Sequence, residues 1–64
     1  MKNAAMTQTI FHPFTGRSMT FELLADYQTT RVTTQEGKGT DFGREYAAGR
    51  LASLLRSGWK RVAA

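Results

Sequence analysis

The stretch KGTDFGREYAAGRLASLLRSGWKRV, Lys38 to Val62, carries the reading that decides the fold. It predicts one capped amphipathic helix over 41–57, followed at once by a short strand. Thr40 and Asp41 are N-cap acceptors for the first free N–H groups. Ala47, Leu51, Leu54 and Leu55 fall on one stripe at helical spacing and mark the packing face. Gly58 follows the last periodic residue, at the C′ position where a left-handed backbone suits glycine. Trp59-Lys60-Arg61-Val62 then alternates as a strand does. Gly49 costs about 1 kcal/mol relative to Ala inside a helix, which predicts close packing at that point. Tyr46, Arg50, Ser53 and Ser57 lie toward the outer face.

Upstream, residues 1–6 read as a frayed start. Thr7 to His12 is rich in β-formers and reads as a strand. Pro13-Phe14-Thr15-Gly16 is turn chemistry, since Pro sets φ and Gly tolerates positive φ. Arg17 to Leu24 is a second strand, with Met19, Phe21 and Leu23 alternating with Thr20 and Glu22. The two make a hairpin. Residues 27–34 form a third strand whose threonines favour a solvent-facing side. Residues 35–39 are a flexible connection. The order is β-β-β-α-β, and the class is α+β. The predicted architecture is a small two-layer sandwich, with one helix covering a three- to four-stranded antiparallel sheet. Residues 1–64 make a single domain.

A 64-residue chain buries only about 60% of the surface its unfolded form exposes. Its core is marginal, and a homodimer is one way to gain stability. There is no cysteine, which excludes disulfides and Cys-based zinc or iron–sulfur sites. His12 is the only histidine, so one chain builds no His cluster. No metal and no cofactor are expected. The hydrophobic share of 41% is that of a folded domain. No apolar run exceeds three residues, so no membrane span is expected. Met1 to Met6 lacks the apolar region of a secretory signal. Together with the missing cysteines this points to the cytoplasm. The net charge of +4 and pI near 10.1 favour a polyanionic partner.

Catalytic constellations are missing. Glu22 and Asp26 are even-spaced and could share a strand face, but a dyad needs a cleft that so small a sandwich has little room for. His12 has no Ser, Cys or Asp pattern around it. Gly37-Lys38-Gly39-Thr40 resembles a fragment of a phosphate loop, but Lys38 precedes Gly39 instead of standing before Thr40. The chain is therefore expected not to be an enzyme. Arg44, Arg50 and Arg56 recur every six residues, each turned by about 240° from the last, so they spiral and form no stripe. The local concentration of cations lies at the end. Arg50, Arg56, Lys60 and Arg61, with Trp59, are the predicted binding patch, since an aromatic among cations can stack a base or enter an acidic groove. Arg17, Arg31 and Tyr46 are secondary candidates.

Gly37-Lys38-Gly39, followed by a helix carrying Ala47-Ala48 and Leu51, resembles the second half of a double-stranded-RNA-binding domain over residues 19–55. That half is three strands, a glycine-bearing turn and a helix with paired alanines. The family grips phosphates with a lysine cluster at the helix start. Here Asp41, Phe42 and Gly43 stand there, and the family's first helix is missing. The resemblance therefore implies a topology more than a function. In size and style the chain is also similar to inhibitors encoded by phages and mobile elements, such as anti-CRISPR proteins. The expected function is a non-enzymatic inhibitor or adaptor of a nucleic-acid-handling complex. Its partner would be an acidic protein surface or a nucleoprotein complex. The alternative is direct DNA or RNA binding through the Trp59 patch.

Overall fold

The computed structural model of the protein describes residues 4–62. Five strands and one helix follow in the order β1 (Ala4–Phe11), β2 (Ser18–Leu24), β3 (Thr29–Thr34), β4 (Gly39–Gly43), α1 (Arg44–Arg56) and β5 (Lys60–Arg61). The strands form one antiparallel sheet in the order β4-β3-β2-β1-β5. The fold is α+β, as expected, with β4 as an added strand. Ala4 to Met6, expected to fray, belongs to β1. Residues 1–3 of that segment lie outside the described residues.

The register explains the core. Ile10 lies opposite Met19, and Gln8 opposite Phe21. Phe21 lies opposite Val32, and Thr30 opposite Phe42. Directly opposed residues share a face, so these side chains line one side of the sheet, where the helix lies. Ile10, Phe21, Val32 and Ala47 are buried there. Met19, Phe42, Leu51, Leu54, Leu55 and Trp59 pack around them. The helix stripe is thus the one read from its spacing. The threonines of β3 divide between the faces. Thr30 is buried beside Val32, because β3 is an interior strand with neighbours on both sides.

The main departure is β4. Thr40 and Asp41 do not cap the helix; they lie opposite Val32 and Arg31. Asp41 accepts two hydrogen bonds from the Arg31 guanidinium, at 2.8 and 3.2 Å. The N-cap is Gly43, which makes no side-chain bond. The Arg44 N–H donates to the Gln28 carbonyl at 2.9 Å instead. Phe42 and Tyr46 pack ring on ring, 5.1 Å apart, across the strand–helix junction.

The helix must carry the chain from one sheet edge to the other. Four gaps of about 4.8 Å make that crossing roughly 19 Å wide. A 13-residue helix is about 20 Å long. It starts where β4 ends beside Thr29 and leads to β5 beside Phe11, so it runs diagonally across the sheet. Gly49 sits on the far side of it. A Cβ there would meet nothing within 4 Å, so the expected close packing at Gly49 is absent. Gly49→Ala should therefore stabilise the fold by about 0.5–1 kcal/mol through helix propensity alone. A thermal melt that falls instead would show that the position is covered.

Candidate functional site

The helix C-terminus places Trp59. Ser57 is the C-cap, and Gly58 has φ of 110°. The Gly58 N–H reaches the Leu55 carbonyl at 3.4 Å, and the Trp59 N–H reaches the Leu54 carbonyl at 3.2 Å. This crossed pair is a Schellman motif, and it sets Trp59 beside Leu54 on the core. Gly58 is required here because a side chain at that φ is strained.

Half-buried Trp59 meets His12 edge to face, with ring centroids 5.5 Å apart. His12 follows β1 and organises the turn. Its N–H donates to the Arg17 carbonyl, and its carbonyl accepts from the Gly16 N–H, both at 2.8 Å. Its Nδ1 accepts from the Phe14 and Thr15 N–H groups, each at 3.3 Å. Phe14 stands at the turn's tip, 93% exposed, with its ring 6.0 Å from that of His12. His12 and Phe14 were not among the predicted site residues. An aromatic inside turn chemistry, in His12-Pro13-Phe14-Thr15-Gly16, was the signal for them.

The predicted cations are all exposed, and they do not form one face. Lys60 lies opposite Phe11, and Arg61 opposite Ile10. Neighbouring strand residues point to opposite sides. Lys60 therefore flanks Phe11 on the open side of the sheet, and Arg61 lies on the helix side. Arg56 is the last helical residue. Arg50 sits about 9 Å back along the axis and is rotated away. Arg56, Lys60 and Arg61 thus bracket Trp59 from two sides, while Arg50 stands apart. Among the described residues, none of these four cations makes an ion pair.

The secondary candidates are dispersed. Arg17 closes the Phe14 turn, and its guanidinium lies 3.6 Å from the Glu36 carboxylate. Arg31 is held by Asp41 in mid-sheet. The hydrogen-bonded carboxylate raises the Arg31 pKa, and the same bond lowers that of Asp41. Tyr46 belongs to the opposite end of the helix, beside Phe42.

The carboxylates do not converge on a cleft. Asp26 accepts from the Gln28 and Thr29 N–H groups and from the Thr29 hydroxyl, at 2.8–2.9 Å. These bonds, led by that from Gln28, lower its pKa. Glu22 lies opposite Arg31 on the open face. Among the described residues no group of three His, Cys, Asp or Glu is arranged to hold a metal, and no helix is long and apolar enough to cross a membrane. A groove of about 280 Å³ opens where the diagonal helix leaves β1 and β2 uncovered. Met6, Gln8, Leu23, Ala48 and Leu51 line it, with Arg44 as its one charged wall. Among the described residues it holds no pair of groups that could exchange a proton. No known protein family, curated protein or solved structure matches the chain.

Proposed function

We propose that this chain is a non-enzymatic binding protein of the cytoplasm, an inhibitor or adaptor that docks on an acidic surface of a nucleic-acid-handling complex. The observation that carries the reading is the set of cations bracketing half-buried Trp59, none of which makes an ion pair among the described residues. Unpaired, exposed cations keep their charge available for a partner, and an aromatic among them adds contact area. Their division between the two sides of β5 favours a protein partner. A nucleic-acid backbone is gripped best by a continuous basic track, whereas a shaped acidic surface can meet cations on both sides of a ridge.

The alternative is direct binding of DNA or RNA, favoured by the aromatic rings of Trp59, His12 and Phe14, which offer surfaces for base stacking. A pull-down from bacterial lysate, with and without nuclease, separates the two. A defined protein retained after nuclease supports the inhibitor reading, and loss of all bound material supports the alternative. The Lys60→Glu, Arg61→Glu double variant should keep its melting temperature, because both residues are exposed. It should bind the recovered partner about ten-fold more weakly, which corresponds to about 1.4 kcal/mol. For a protein partner the loss should fall mainly on the association rate. Full affinity in the folded double variant removes the cations of β5 from the site.

A further inference from the structure

The turn between β1 and β2 presents an apolar side chain with unusual economy of motion. Pro13 fixes one φ angle. Two backbone bonds close the turn through His12, and two more run from the Phe14 and Thr15 N–H groups to its ring. The Thr15 hydroxyl accepts from the Arg17 N–H at 3.3 Å. The His12 ring rests against Trp59, which is anchored to the core. Phe14 is nevertheless 93% exposed. It is a large aromatic that adds almost nothing to the core, mounted on a turn that is already ordered. Such a side chain loses little conformational freedom on binding, and this is the property of an interface anchor.

We propose that Phe14 is the anchor residue of the partner interface, with His12 as its positioning residue. The partner it fits is a protein surface with an apolar pocket rimmed by carboxylates. The apolar pocket follows from the ring. The acidic rim follows from the cations at the same end, Lys60 beside Phe11 and Arg56 beside Trp59, neither of which makes an ion pair among the described residues. This inference rests on the reading of that end as a binding surface and adds the residue that dominates it. Central aromatic anchors carry most of the affinity, and rim charges carry little. Phe14 should therefore outweigh the two cations of β5.

The test selects peptides from a displayed random dodecapeptide library on the immobilised 64-residue chain. It then measures the affinity of the selected peptides for variants. Selected peptides should combine acidic residues with apolar ones. Phe14→Ala should weaken them at least ten-fold while leaving the melting temperature unchanged, because the ring is exposed. His12→Ala should weaken them several-fold. His12→Asn should restore much of that loss, because its side-chain oxygen can accept the same N–H groups in an Asx turn. A merely structural His12 would show no such rescue of binding at equal stability. Selected peptides indifferent to Phe14→Ala overturn the proposal, as does a library that yields none. Tighter Phe14-dependent binding to a single-stranded oligonucleotide or to anionic phospholipid vesicles also overturns it. Peptides weakened by Lys60→Glu, Arg61→Glu but not by Phe14→Ala leave the basic end standing and remove the anchor. The converse result keeps Phe14 and removes the cations.

Discussion

Ile10→Ala is expected to leave the domain largely unfolded at room temperature. Ile10 has no exposed surface and is, among the described residues, the only large side chain so enclosed. It lies opposite Met19 on β2 and Arg61 on β5, so it sits where both neighbouring strands and the helix layer meet. Removing a buried isoleucine to the β-carbon costs about 2–5 kcal/mol, and more where the surroundings cannot collapse. Strands held on both sides restrict collapse, which places this site toward the upper end. The whole fold of such a chain holds roughly 3–10 kcal/mol at about 0.05–0.15 kcal/mol per residue. One substitution therefore removes much of the total. Circular dichroism against temperature reads it directly. Met6→Ala, at a side chain 69% exposed, should change stability by less than about 0.5 kcal/mol. An Ile10→Ala melt close to that of the parent protein would sink the packing described for the sheet.

Leu54→Ala should lower stability by about 2–3 kcal/mol, the lower part of the range for leucine because the residue is only partly buried. For a domain of this size that is a fall of roughly 8–24 °C in melting temperature. The leucine does two things at once. Its side chain docks the helix on the core, and its position in the Schellman motif places it against Trp59. The substitution should therefore also shift the fluorescence of Trp59, the one tryptophan of the chain, toward that of a more hydrated indole. Ala52→Ser, on the exposed side of the helix, should move neither signal. An unchanged melt in Leu54→Ala would detach the helix from its assigned place. An unchanged tryptophan signal with a lowered melt would detach only the Trp59 contact.

The sequence by itself determined the features that local physics controls. The helix stripe of Ala47, Leu51, Leu54 and Leu55 follows from a period of 3.6 residues, and its packing face holds whatever lies beneath it. Gly58 ends the helix because its φ of 110° is a demand of the backbone at that residue alone. The β1–β2 hairpin follows from alternation around a Pro–Gly turn. The cations beside Trp59 were legible because they are neighbours in the chain. The tertiary structure decided β4. Gly39-Thr40-Asp41-Phe42-Gly43 has the chemistry of a helix cap, since Asp is favoured there and depleted in strands. What tips it is the open edge of β3, which offers Asp41 the Arg31 guanidinium and Phe42 a place on the core opposite Thr30. Register likewise sent Lys60 and Arg61 to opposite sides and divided the predicted patch. The pairing of β1 with β5 brought His12 to Trp59 and set the Phe14 turn beside the cations. A β-ladder joins residues far apart in the chain, so its contacts exist only once the sheet has closed.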